Sequence, residues 1–333
     1  MESLADDFAV LLGVEDIMVK RMPGESAVGV FVPNRQRTLV KFLDTLALNW
    51  QQSKAARVPL NFGVDYLGNG FVEDLATLPH LLIAGSTGSG KSTLISSMIA
   101  VVINIVNSNA IKFILSDTKN VEFGHFVGAP HLLFDPVTSI YQTIEKMEWL
   151  CEEMEDRLKK IGKAGCRNIF EYKEKLNATP TIVPNNFHGP VEDLPYIILV
   201  IDELADILSD SSRPGQKGPS IGKIAGGFLA KIVQKSRAAG VYVIACTQRP
   251  SVNIVSGSIK ANFPARLSFR LPSGPDSRTV IGTEGAEHLL SQGDMLYCSP
   301  NRPGITRLHA PWASITDIKA AVEAAIRREE QQP

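Results

Sequence analysis

The chain has 333 residues, 44% hydrophobic and 21% charged, a balance that buries a core and excludes a disordered or fibrous polypeptide. Lys plus Arg number 34 against 35 Asp plus Glu, so a formal charge of −1 excludes bulk attraction to nucleic acid or to a membrane surface, and any polyanion contact has to be local. Cys151, Cys166, Cys246 and Cys298 are scattered without a C-x-x-C pair, which predicts reduced thiols in a cytoplasmic protein rather than a disulfide or zinc framework.

The N-terminus, Met1-Glu2-Ser3-Leu4-Ala5-Asp6-Asp7, is acidic where a secretory leader is basic, and no apolar run is long enough to span a bilayer. Any attachment to a membrane is therefore expected to come from another segment or a partner. Short apolar stretches such as Val28-Gly29-Val30-Phe31-Val32, with an amphipathic helix near Thr38 to Leu48, suggest a small leading α/β module over residues 1–65. Asn49 to Arg57, followed by Pro59, Gly63, Gly68 and Gly70, reads as the junction to a second unit, residues 66–333.

Five β-rich runs follow: His80 to Ala84, Ile111 to Leu115, Tyr196 to Ile201, Val241 to Ala245 and Ala265 to Phe269. Near-continuous apolar runs are covered on both faces, which predicts an α/β fold with a mostly parallel central sheet between helices. Ile140, Ile144, Met147, Cys151, Met154 and Leu158 recur at helical spacing, with Glu153/Arg157, Glu155/Lys159 and Asp156/Lys160 as i,i+4 pairs. Asn177 to Leu194 and Ser209 to Ser220, rich in Pro, Gly, Asn and Ser, read as surface insertions.

Gly85-Ser86-Thr87-Gly88-Ser89-Gly90-Lys91-Ser92 satisfies G-x-x-x-x-G-K-[ST], directly after one predicted strand and before a helical run beginning at Thr93. The glycines let the backbone wrap a phosphate, successive N–H groups converge on it, and the helix N-terminus adds positive potential. ATP is the expected ligand of Gly85 to Thr93. Lys91 is expected to neutralise the β- and γ-phosphates, and the Ser92 hydroxyl to ligate Mg2+.

The run from Ile197 to Ile201 ends in Asp202-Glu203, and two carboxylates closing a buried strand are costly unless a cation or a reacting water uses the charge. Beside a P-loop, Asp202 is expected in the magnesium shell and Glu203 against the attacking water; the alternative is that Asp202 caps a helix starting at Leu204. The strand from Val241 to Cys246 ends in Thr247-Gln248-Arg249-Pro250. Gln248 would there sense the γ-phosphate or orient water, unless the pair only satisfies loop backbone groups. Asp117 and Lys119 reach the same edge, or form an ordinary solvated turn.

Further stretches occur in order: Leu78-Pro79-His80 leading to the P-loop, Arg167-Asn168 with Tyr172, Val200 to Asp206, Gln234 to Gly240, Thr247 to Val252, Ile259 to Asn262, Asp276 to Thr279 and Gly293 to Tyr297. Together they resemble the motor region of the FtsK/SpoIIIE family of DNA translocases over nearly the whole chain. The resemblance implies a small N-terminal α domain and a RecA-like P-loop ATPase domain, assembled as a homo-hexameric ring. Such a ring hydrolyses ATP between subunits and drives double-stranded DNA through its pore.

The resemblance also implies that Arg237, within Lys235-Ser236-Arg237-Ala238-Ala239-Gly240, is an arginine finger offered to the neighbouring subunit. As a residue alone, an Arg near a helix C-terminus also suits the helix dipole. The pore loops match Arg249 to Arg278, with Arg249, Lys260 and Arg278 as the implied contacts to duplex phosphates; by composition the same run is a solvated basic face. Gly274 stands where the family commonly has Lys, and Ser116-Asp117-Thr118-Lys119 where it has Asp-Pro-Lys. The family's membrane segment and winged-helix DNA-reading domain do not occur in these 333 residues, so the chain is expected to be either an excised motor or a standalone relative served by a membrane-anchored or DNA-reading partner. Two other functions compete: a protein-exporting ATPase of the type VII secretion kind, whose members resemble several tandem motors, and a scaffold that binds ATP without turnover, against which Glu203 and Arg237 argue.

Overall fold

The structure is a computed structural model that describes residues 2–14, 17–21, 27–32, 34, 38–177, 193–209 and 219–331. Its contacts divide the chain into two units, Met1–Leu39 and Val40–Pro333. In the first, α1 (Glu2–Leu12) precedes an antiparallel pair of β1 (Met18–Arg21) and β2 (Val28–Phe31), registered Met18 against Phe31.

The larger unit opens with α2 (Phe42–Leu48) and α3 (Trp50–Ala55), which pack on β3 (Pro59–Asp65) and its antiparallel neighbour β4 (Gly70–Asp74). Residues 40–65, expected in the leading module, thus lie by contact in the larger unit. Strands and helices then alternate: β5 (His80–Ala84), α4 (Lys91–Ile105), β6 (Ile111–Ser116), α5 (Ile140–Lys163), α6 (Ile169–Asn177), β7 (Tyr196–Ile201), α7 (Leu204–Leu208), α8 (Ile221–Ala239), β8 (Val241–Thr247), α9 (Gly257–Asn262), β9 (Ala265–Phe269) and α10 (Gly274–Ile281). The hairpin β10 (Asp294–Ser299) and β11 (Arg302–His309) follows, then α11 (Ile315–Glu330).

Among the described residues these strands form one nine-stranded sheet in the order β4-β3-β11-β10-β9-β5-β8-β7-β6. The five runs expected from the sequence are its parallel part, β9-β5-β8-β7-β6. An antiparallel extension of β10, β11, β3 and β4 continues it beyond β9. The stretch read as a junction is therefore α3 over Trp50–Ala55, and Pro59, Gly63 and Gly70 within it lie in sheet. Gly63, at φ 92°, is required there because a Cβ would lie 2.1 Å from the His309 carbonyl oxygen of β11. The polar Asn49 is buried, and its Nδ2 donates to Asn61 Oδ1 at 2.8 Å and to the Gly63 carbonyl at 3.0 Å.

Strand parity explains why the parallel runs are apolar throughout. Ile197, Leu199 and Ile201 of β7, with Val241, Val243 and Ala245 of β8, face Met147, Leu150 and Met154 of α5 and Leu229, Ile232 and Val233 of α8. Ile198 and Val200, with Ile244 and Cys246, face the other layer, where Leu94, Ile95 and Met98 of α4 pack beside Ile318, Ala321 and Val322 of α11. Both faces are dry.

The expected periodicity of α5 places Met147, Cys151 and Met154 inside, and the pairs Glu153–Arg157 (2.7 Å) and Asp156–Lys160 (3.1 Å) form. Arg157 does more than form this pair. Its side chain is buried, and its guanidinium also donates to the carbonyls of Pro195 and Ala239, tying α5 to the entry of β7 and the end of α8. The expected insertions fall largely on residues 178–192 and 210–218, outside the described residues. All four cysteines are free thiols. No described helix is long and apolar enough to cross a membrane.

Candidate active site

Ala84 pairs with Thr247 and Ile201 with Ala245, so β5, β7 and β8 end side by side and the loops after them converge. Gly85 to Gly90 fill the turn from β5 into α4, with Gly88 at φ 77° and Gly90 at φ 111°. The turn is braced from below. Its Ser86 amide and hydroxyl both donate to the Arg270 carbonyl at 3.0 Å, and the Gly293 amide donates to the Ser89 carbonyl at 2.9 Å. A Cβ on Gly85 would sit 2.7 Å from Phe269 Cβ, and one on Gly90 would sit 2.8 Å from the Gly293 amide nitrogen.

The cradle fits a phosphate chain. α4 starts at Gly90 with no side-chain cap, which leaves the amides of its first turn, Lys91, Ser92 and Thr93, as donors for an anion. The Ser89 hydroxyl is buried without a hydrogen-bond partner. Lys91 is buried and donates from Nζ to Asp202 Oδ1 at 2.8 Å and to the Asp202 carbonyl at 2.9 Å. Burial opposes the charge on Lys91, but the acidic groups around it, Cys246, the hydrogen-bonded Asp202 and Glu203, outweigh it and raise its pKa above the usual lysine value. Burial pushes the neighbouring Cys246 thiol up, so it stays protonated. Ser92 and Asp202 together offer the hard oxygen donors that Mg2+ takes beside phosphate and water.

Asp202 does not cap a helix. The N-cap of α7 is Glu203, whose Oε1 accepts the Ala205 amide at 3.2 Å and the Thr247 hydroxyl at 2.7 Å. Glu203 Oε2 accepts the Gln248 amide at 3.0 Å and stands 3.9 Å from Lys119 Nζ. The Gln248 side chain reaches the P-loop, its Oε1 accepting the Thr87 hydroxyl at 3.0 Å. Asp117 is buried, not solvated; its Oδ2 accepts the amides of Glu122 and Phe123.

Arg237 is not brought to this edge. It lies exposed in the last turn of α8, which leads into the amino end of β8, so the seven residues of that strand, roughly 20 Å, separate it from Thr247. Its guanidinium makes no hydrogen bond or ion pair among the described residues. Nor does the topology gather the three basic candidates. Arg249 is exposed just after β8, Arg278 lies in α10 beyond the carboxyl end of β9 and is paired with Glu284, and Lys260 lies half-buried in α9 before the amino end of β9. Arg266 donates to the carbonyls of Lys260 and Phe263, closing the end of α9. Sequence reasoning missed Thr247 as a partner of Glu203 and the bracing by Phe269 and Gly293; the adjacent Gly293-Asp294 run was visible only as a family match.

Fold and site together define a P-loop ATPase domain. Residues 43–252 match the FtsK/SpoIIIE family model, and the chain belongs to that family. The DNA translocase FtsK of Caulobacter vibrioides is 37% identical over 336 residues, covering 96% of this chain and 40% of the relative. The DNA translocase FtsK of Helicobacter pylori (strain 26695) is 37% identical over 330 residues, covering 99% and 36%. The chain thus spans about two-fifths of the length of these relatives. Among solved structures, the pCW3 conjugation coupling protein TcpA with ATPγS superposes with a TM-score of 0.72 at 21% identity, over 98% of this chain and 85% of that one. The cytoplasmic domain of the Thermomonospora curvata type VII secretion ATPase EccC gives 0.65 at 20% identity, over 81% and 31%. Both share the fold.

Proposed function

We propose that the chain is the motor of a double-stranded DNA translocase that hydrolyses ATP at the seams of a ring of six identical copies, with the larger unit as its ATPase body. Similarity to relatives named DNA translocase across at least 96% of the chain supports the substrate. The observation that carries the ring reading is the place of Arg237, exposed, unpaired among the described residues and a strand length from its own P-loop. A second copy can present such a guanidinium to this copy's phosphates.

In this reading Gly85 to Thr93 wrap the phosphates, and Lys91 exchanges part of its contact with Asp202 for the β- and γ-phosphates. Ser92 and Asp202 hold Mg2+, which when bound neutralises charge on the phosphoryl oxygens. Glu203 takes a proton from the attacking water, Gln248 reports the γ-phosphate through Thr87, and Arg237 of the neighbouring copy stabilises the transition-state charge. Arg249, Lys260 and Arg278, the last by leaving Glu284, contact the duplex backbone without reading sequence.

Steady-state ATP hydrolysis with and without long linear duplex tests the reading. Duplex is expected to raise the rate strongly, and salt to suppress the stimulation as phosphate contacts are lost. Glu203→Gln is expected to lower kcat at least ~100-fold. An identical rate with and without duplex would overturn the DNA motor, and stimulation by a peptide instead would favour secretion.

Arg237→Ala is expected to keep ATP affinity and lose on the order of 10³-fold in turnover. Mixing it with Glu203→Gln should then restore a fraction of the activity, because some seams combine an intact Glu203 with an intact Arg237. Wild-type turnover by Arg237→Ala removes this residue from the mechanism.

A further inference from the structure

We infer that Thr247 is a positioning residue that latches Glu203, and that the strand end Thr247-Gln248-Arg249 passes a contact made at Arg249 to that carboxylate. The inference rests on the reading of Glu203 as the residue that activates water.

Thr247 closes β8 and is fully buried. Its hydroxyl donates to Glu203 Oε1 at 2.7 Å while accepting the Arg249 amide at 3.0 Å. The next residue holds the other oxygen, the Gln248 amide donating to Oε2 at 3.0 Å, and its side chain is bonded to Thr87 of the P-loop. With the Ala205 amide on Oε1 and the Lys119 ammonium 3.9 Å from Oε2, the carboxylate is closed on most sides. A carboxylate offers about four lone-pair sites, and a water's proton needs one of them.

The Thr247 hydroxyl has a single proton. While its oxygen accepts the Arg249 amide, that proton is directed at Glu203; once the amide moves, the hydroxyl is free to rotate and release a lone pair on Oε1. Arg249 is exposed, and no loop intervenes between its side chain and the latch, so a pull on its guanidinium acts directly on the amide that fixes the rotor. The same strand end touches Thr87, which places the latch between the polyanion contact and the P-loop.

The test is duplex-free ATP turnover by the full chain. Thr247→Val removes the donor at nearly constant shape and is expected to raise duplex-free kcat roughly ten-fold, the factor one charge-assisted hydrogen bond is worth, with the KM for ATP unchanged. Added duplex then stimulates it little, and Thr247→Ser behaves as wild type. Arg249→Pro deletes the amide while leaving Thr247 in place, and is expected to raise the duplex-free rate as well, which keeps the test readable if the valine variant melts early. A duplex-free kcat at or below wild type in both variants, or a serine variant as deregulated as the valine one, overturns the latch. Absence of duplex stimulation in the wild type instead overturns the DNA motor, and is scored separately from the duplex-free rates.

Discussion

Lys91→Met is expected to stop ATP turnover and to destabilise the larger unit by about 3–5 kcal/mol, because it leaves Asp202 as a buried charge without its partner. The two side chains are each 3% exposed and meet at 2.8 Å, with the Asp202 carbonyl completing the contact, so solvent screens the pair little. Removing the second charge as well separates the two effects. Lys91→Met/Asp202→Asn should recover most of the urea midpoint while remaining inactive, since neither the cation for the phosphates nor the carboxylate for Mg2+ returns. A double variant as unstable as the single one would show that the stability does not pass through this pair. The expected loss exceeds that of an exposed ion pair such as Arg327–Glu323, for which ordinary surface pairs give at most ~1 kcal/mol.

What could be read ahead of the structure was local. The P-loop is specified by contiguous residues, and the five parallel strands by apolar runs that need no knowledge of their neighbours. The antiparallel extension was not readable in the same way. β3 owes its close approach to β11 to Gly63, whose missing Cβ admits the His309 carbonyl, and in sequence such a glycine looks like a break. β11, Arg302–His309, is largely open to solvent along its first half and carries no apolar run at all. Adjacent carboxylates posed a different problem: Asp202 and Glu203 share a strand end, and the strand's pleat decides that the first meets Lys91 and the second caps α7. Arg157 shows the same limit. Its i,i+4 pair was legible, but the carbonyls of Pro195 and Ala239 that draw it inside come from distant segments.

Acid is expected to unfold the larger unit over a window set by two buried histidines. His80, on the first residue of β5, accepts the Val243 amide on Nδ1 at 3.0 Å, which leaves the proton on Nε2 to donate to the Val233 carbonyl at 3.2 Å. Burial is the main cause that lowers its pKa from 6.5 to about 4, only partly opposed by that carbonyl. His131 is lowered to about 4 as well, again chiefly by burial; the Val106 carbonyl, 2.9 Å from Nε2, opposes the shift, and Arg328 and Lys112 add to it. Both folded values lie below the unfolded one, so on acidification the unfolded chain takes up protons first. Stability from these sites is whole above about 6.5 and is lost between there and about 4, with each histidine contributing on the order of 3 kcal/mol across the window. That is a large share of the ~5–15 kcal/mol that holds an ordinary domain together. Urea midpoints measured at intervals from pH 7.5 to 4.5 should fall steeply in the wild type. His80→Asn, which keeps an acceptor for Val243, and His131→Gln, which keeps a donor for Val106, should each flatten the fall even if they lower the neutral-pH midpoint. A fall as steep in the double variant as in the wild type would assign the acid sensitivity to carboxylates instead.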